Sequence, residues 1–136
     1  MRIVIDTNVV ISGTFFKGNP RRIVEATVEN RFNVFATPEI IQEYNDIINE
    51  FIIRKQGNLD NNILNQFIAS LNIINQKSFM QICRDPDDDK FINCAIDSKS
   101  LYIVSGDNDL LVLGKYNNID IITATQFCKT YLDGLL

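Results

Sequence analysis

An α/β fold, with a parallel sheet and helices on both its faces, is predicted by three features of the sequence. Short β-rich apolar runs, Arg2-Ile-Val-Ile5, Asn33-Val-Phe-Ala36, Leu101-Tyr-Ile-Val104 and Ile119-Asp-Ile-Ile122, alternate with stretches whose apolar residues recur at helical spacing. The first run is apolar almost without interruption, as a strand covered on both faces must be. Two of the runs end abruptly in acidic turns, Asp6-Thr7-Asn8 and Ser105-Gly-Asp-Asn-Asp109. The carboxyl ends of strands in open α/β sheets are where ligands bind.

Taken in order, Val9 to Thr14 continues apolar and small after the first strand, and Phe15 to Pro20 reads as a loop. Asn19 with Pro20 behind it opens a helix that Ile23, Val24, Ala26, Thr27 and Val28 carry to about Asn30. After the strand at Asn33, Thr37 is the expected N-cap of a helix that begins at Pro38 and buries Ile40, Ile41, Tyr44, Ile47, Ile48 and Phe51. Gly57-Asn58 breaks this pattern. Asp60 or Asn61 then caps a third helix, with Ile63, Leu64, Phe67, Ile68, Leu71 and Ile74 on its apolar face, and the two helices are expected to form a hairpin standing partly off the sheet. Ser78 to Cys83 is a weak strand candidate. Arg84-Asp-Pro-Asp-Asp-Asp-Lys90 opens a helix through Phe91, Ile92, Ala95 and Ile96, Leu110 to Leu113 is a helical turn, and Thr123 starts a closing helix through Phe127 and Tyr131.

The chain has 136 residues, of which 46% are hydrophobic, enough for one domain with a proper core over residues 1–136. Acidic residues outnumber basic ones, 17 to 13, for a formal charge of −4, which argues against holding nucleic acid by a broad basic surface. There is no histidine, so the usual catalytic triads and imidazole zinc sites are excluded. The three cysteines, Cys83, Cys94 and Cys128, are widely spaced and suggest neither a disulfide framework nor a zinc knuckle. Met1 leads straight into a strand with no signal-peptide pattern, and no run is long and apolar enough to span a membrane, so a cytoplasmic protein is expected.

Chemistry must then run on carboxylates, hydroxyls, lysines or thiols. Asp6 can cap the turn that follows it or belong to a site. In the run Asp85 to Asp89, Asp85 can be an N-cap with Pro86 at the first helical position, and acids in a first turn suit the helix dipole. That role does not account for Asp88, which stands three or four residues before Phe91 and Ile92 and so falls in the middle of the apolar stripe. A carboxylate aimed at the sheet is costly unless a cation meets it. Asp107 suits an ordinary Asx-turn taken alone, but it is the second carboxylate at a strand's carboxyl end. Glu43 lies at the edge of its helix's apolar stripe, nearer to it than Glu39, Asp46 or Glu50.

Four such carboxylates converging on one sheet edge, with no evident basic partner, would repel one another unless cations were bound. Hard divalent ions take oxygen ligands, and Mg²⁺ or Mn²⁺ held by a few carboxylates is the arrangement used to activate water for phosphodiester hydrolysis. Lys17, Arg21, Arg22, Arg54, Lys55 and Lys90 are the candidates for phosphate contacts, though a solvated surface explains any one of them equally.

Together Ile3-Val-Ile-Asp-Thr-Asn8, Thr37-Pro-Glu-Ile-Ile-Gln-Glu43, Asp85-Pro-Asp-Asp-Asp-Lys-Phe-Ile-Asn-Cys-Ala95 and Tyr102-Ile-Val-Ser-Gly-Asp-Asn-Asp-Leu110, in that order, resemble a PIN domain. The resemblance is in particular to the PIN-type toxin components of bacterial toxin–antitoxin pairs, and it covers essentially the whole chain. It implies a three-layer α/β/α sandwich and a Mg²⁺- or Mn²⁺-dependent endoribonuclease whose acidic quartet is Asp6, Glu43, Asp88 and Asp107, with Asp109 as an accessory metal ligand. Thr7, Asn8 and Ser105 could orient the carboxylates or bound water. Cognate antitoxin and a homodimer are the partners implied beside RNA, and a silent RNA-binding or partner-binding module is the alternative. A phosphatase of the haloacid dehalogenase type would need a second aspartate where Asn8 stands, and a response-regulator receiver carries its acceptor on a later strand.

Overall fold

The computed structural model describes residues 1–55 and 61–134. The described chain runs β1 (Arg2–Ile5), α1 (Thr7–Phe15), α2 (Asn19–Val28), β2 (Asn33–Ala36), α3 (Pro38–Arg54), α4 (Asn62–Ala69) and β3 (Asn72–Ile73). A 3₁₀ turn (Pro86–Asp88), α5 (Asp89–Ser98), β4 (Tyr102–Val104), α6 (Asn108–Leu111), β5 (Lys115–Tyr116), β6 (Ile119–Ile122), α7 (Ala124–Phe127) and a π-helical segment (Cys128–Asp133) complete it. The strands form one sheet in the order β3-β2-β1-β4-β6-β5, parallel except where β5 pairs antiparallel with β6. Ile3, Val4 and Ile5 are all fully buried. Because successive strand residues point to opposite faces, both faces of β1 are covered, as a mixed α/β/α sandwich requires.

β1 lies between β2 and β4, with Ile3 opposite Val34 on one side and Tyr102 on the other. The chain builds outward from β1 through β2 to β3 and then returns to β4 on the opposite side. The gap between the carboxyl ends of β1 and β4 is therefore the topological switch point of the sheet, where a ligand cleft is expected.

Most elements fall where the sequence places them, and the departures have physical causes. The stretch after Asp6 is a helix at once, α1, which the apolar small residues Val9 to Thr14 left undefined. It crosses α2 so closely that a Cβ on Gly13 would lie 2.5 Å from Val24 Cγ2 and 2.7 Å from the Pro20 carbonyl oxygen. Thr37 caps α3 as expected, its hydroxyl accepting from the Ile40 amide, and Thr123 and Gln126 form a reciprocal capping box on α7. Helix α4 stops at Ala69, so Leu71 and Ile74 are not helical; Ile74 donates its amide to the Ala36 carbonyl beside β3. Of the proposed break and cap between α3 and α4, Gly57, Asn58 and Asp60 lie outside the described residues, and Asn61 occupies the cap position. The β5–β6 hairpin is an addition, turning through Asn117 with φ of 52°.

The strand expected over Ser78 to Cys83 does not form. That segment is tied down by the side chains of α5. Asp97 accepts from the amides of Lys77 and Ser78, Asn93 both accepts from and donates to the backbone of Met80, and Asp89 accepts from the amides of Ile82 and Cys83. Residues 89, 93 and 97 recur every four positions and so share one helix face, which offers the extended segment hydrogen-bond partners in place of a neighbouring strand. Among the described residues no helix is long and apolar enough to cross a membrane.

Candidate functional site

At the carboxyl end of β1, the Asp6 amide donates to the Val104 carbonyl of β4 at 2.9 Å, so the first acidic turn is clamped directly to the strand that leads into the second. The Ser105 hydroxyl, fully buried, donates to Asp6 Oδ2 at 2.7 Å and accepts from the Asp107 amide at 2.9 Å. Asp107 in turn accepts from the Asp109 amide at 2.8 Å, capping α6. The Asx-turn expected at Asp107 is therefore real, and the same turn fixes the orientation of Asp6 through Ser105.

Glu43 reaches the same edge from α3. The neighbouring Tyr44 is fully buried, and its hydroxyl donates to the Ile5 carbonyl, pinning this turn of α3 to the last residue of β1. The Thr7 hydroxyl donates to Glu43 Oε2. Glu43 Oε1 lies 2.6 Å from Lys90 Nζ, whose side chain is only 6% exposed and which also meets Asp87 Oδ1 at 2.9 Å. The acidic edge therefore does contain a basic partner. Lys90, counted at the sequence level among surface phosphate contacts, is a buried cation. Burial works against its charge, yet the hydrogen bonds it donates to Glu43 and Asp87 hold its pKa above the ordinary lysine value.

The five-residue acidic run separates into distinct roles. Asp85 accepts from the Asp87 amide as the N-cap of the 3₁₀ turn. Asp87 is exposed and pairs with Lys90. Asp89 is buried and anchors the loop; burial opposes its charge, but the amides of Cys83 and Ile82 hold its pKa below the usual carboxylate value. Asp88 is 6% exposed, and its Oδ2 is a buried oxygen with no hydrogen-bond partner. Carboxylate oxygens of Asp85, Asp88 and Asp109 lie within 4.8 Å of one another. Asp109 also pairs with the exposed Arg84 guanidinium at 2.8 Å.

Burial pushes the Asp88 carboxyl up to about 7, and the charges of Asp107, Asp6, Asp85 and Asp109 add to the rise. Burial likewise pushes Asp6 up to about 6, against the lowering effect of the Ser105 hydroxyl and with the charges of Asp107 and Glu43 adding to it. The charge of Asp107 thus acts on both Asp6 and Asp88, and that of Asp6 on Asp88, which puts the three in one electrostatic neighbourhood. A pair of buried acids held short of cations, one with an orphaned oxygen, is a set that a divalent ion with oxygen ligands fits: it would satisfy Asp88 Oδ2 and relieve the mutual repulsion.

Of the expected supporting residues, Thr7 and Ser105 touch the carboxylates, whereas Asn8 is exposed and lines a groove of about 390 Å³ with Val9, Ser105 and Gly106. A second groove, of about 510 Å³, runs past Asp87 and Lys90 between Phe79, Met80 and Asn93. Arg21 donates to the carbonyls of Gly13 and Thr14, and Arg22 pairs with Asp133, so neither guanidinium faces this edge freely. Sequence reasoning missed Asp85 as a member of the oxygen cluster and Arg84 as its neighbouring cation. Their position in the acidic run was the available signal, and the capping role of Asp85 concealed it.

A family model described as PIN domain matches residues 2–109, a span that contains every one of these carboxylates. An uncharacterized protein of Methanocaldococcus jannaschii is 35% identical over 135 residues, covering 92% of this chain and 86% of its own length.

Proposed function

The chain belongs to the PIN domain family, whose members are generally nucleases, and from that premise and the acidic centre we propose that it is a metal-dependent endoribonuclease. Its quartet is Asp6, Glu43, Asp88 and Asp107, with Asp85 and Asp109 as accessory carboxylates. The observation that carries this reading is the buried, unpartnered oxygen of Asp88 among like charges. Folding alone gives no reason to bury it, because an unpaired carboxylate at this depth destabilises the chain. Desolvated carboxylates with strongly raised pKa values cluster at functional sites.

Asp6 and Asp88 would hold Mg²⁺ or Mn²⁺ together with Asp107 and the accessory pair. When bound, the ion supplies charge neutralisation at the phosphate and lowers the pKa of water, so that hydrolysis needs no histidine. The protein's own residues do the rest. Ser105 fixes Asp6 in one orientation and fixes the turn that presents Asp107. Tyr44 and Thr7 hold Glu43 against the end of β1. Arg84, two-thirds exposed beside Asp109, is placed to meet a phosphate oxygen of a bound strand.

The finer role follows the motif order: the toxin of a toxin–antitoxin pair, acting in the cytoplasm, controlled by a cognate antitoxin and assembling as a homodimer. The test is cleavage of end-labelled RNA in Mn²⁺, in Mg²⁺ and in chelator, beside Asp6→Asn purified identically. Cleavage that requires metal and disappears in the variant is the expected result. Identical behaviour of wild type and variant overturns the nuclease reading in favour of an RNA-binding or partner-binding module.

A further inference from the structure

Lys90 sets this acidic centre apart from a plain cluster of carboxylates. Its ammonium is almost fully buried and lies 2.6 Å from Glu43 Oε1 and 2.9 Å from Asp87 Oδ1. The other oxygen of Glu43 accepts from the Thr7 hydroxyl. Both oxygens of Glu43 are therefore engaged before any ion arrives. Among the described residues, the carboxylate oxygens that gather at metal-binding separations are those of Asp85, Asp88 and Asp109, and Glu43 is not in that group. The unsatisfied oxygen also belongs to Asp88.

We propose that Lys90 is the built-in second cation of the centre: it neutralises Glu43, so the chain takes one divalent ion, on the Asp88 side where Asp85 and Asp109 gather, rather than two. The inference rests on the metal-dependent nuclease reading and divides its labour between a resident ammonium and a single exchangeable ion. The physical reason is that a divalent ion at Glu43 would have to displace Lys90, leaving a buried ammonium bonded to Asp87 alone and facing a second positive charge. Asp88 carries no such occupant, so an ion there relieves a penalty instead of creating one. Lys90 acts in this scheme as a positioning residue, holding Glu43 against Thr7 and the end of β1.

The test is Mn²⁺ binding to the intact chain without RNA, read by electron paramagnetic resonance of the free ion during titration to saturation. Wild type and Lys90→Arg are expected to bind one Mn²⁺ per chain. Lys90→Met, which keeps an unbranched side chain without the charge, is expected to gain a second, distinguishable Mn²⁺. Asp88→Asn should lose the first ion. Glu43→Gln should keep that ion, still binding one Mn²⁺ per chain. Two ions in wild type, an unchanged stoichiometry in Lys90→Met, or loss of the ion in Glu43→Gln overturns the assignment while leaving the nuclease reading intact. A wild-type chain that binds no Mn²⁺ overturns both.

Discussion

Replacing Asp88 with asparagine is expected to stabilise the metal-free protein at pH 8 and to abolish its response to Mn²⁺. The folded-state pKa of Asp88, about 7, lies above the ordinary value of 3.8, so the folded chain binds this proton more tightly than the unfolded chain. A group of this sign contributes fully below pH 4, and its contribution is lost as pH rises from about 4 to 7. The difference corresponds to about 4 kcal/mol at ~1.36 kcal/mol per pH unit. Relaxation of Asp85, Asp109 and the surrounding turn will release part of it, which leaves about 2 kcal/mol for asparagine to recover by staying neutral. In a domain of this length that is a rise in Tm of roughly 6–10 °C. The assay is thermal unfolding of wild type and Asp88→Asn in chelator at pH 8 and at pH 5. The gain should be full at pH 8 and smaller at pH 5, where Asp88 is protonated in the folded chain but ionised in the unfolded one, so that only part of the difference has disappeared. A variant that is less stable at pH 8, or whose gain is the same at both pH values, would refute the claim that Asp88 is a buried charge waiting for a cation.

Saturating wild type with Mn²⁺ at a hundredfold excess over Kd should add about 2.7 kcal/mol to stability. The effect should be larger at pH 8 than at pH 6, because Asp6 and Asp88, with pKa values of about 6 and about 7, must release their protons to bind an ion; a Tm indifferent to Mn²⁺ would count against the centre. Ser105→Ala removes the hydroxyl that lowers the Asp6 pKa, so RNA cleavage should fall by about 10–100-fold and its acidic limb should move to higher pH. Gly13→Ala drives a methyl into Val24 and the Pro20 carbonyl and should cost about 1–3 kcal/mol in denaturant unfolding without altering metal affinity. Asn93→Ala leaves the Met80 amide and carbonyl without their partner, so hydrogen exchange over residues 77–83 should accelerate while the sheet stays protected.

The sequence by itself determined the α/β class, the four main strands and the aspartates placed directly after two of them, because those depend on local signals. β-branched runs, Thr-Pro and Asn-Pro helix starts, and aspartates directly after buried strands each reveal themselves within a few residues. The phase of the Phe91–Ile92–Ala95 stripe was enough to single out Asp88 from its neighbours, and the structure buries its carboxylate without a partner. What only the tertiary structure decided was the partner of each charge. That Lys90 turns inward to Glu43, that Arg84 meets Asp109, and that Ser105 links Asp6 to Asp107 depend on elements far apart in the chain meeting at the switch between β1 and β4. The segment from Ser78 to Cys83 shows the same limit. Its residues suit a strand, but the hydrogen-bond partners that claimed them were the side chains of Asp89, Asn93 and Asp97 on a helix face, and a strand requires a backbone neighbour that only the assembled sheet can provide.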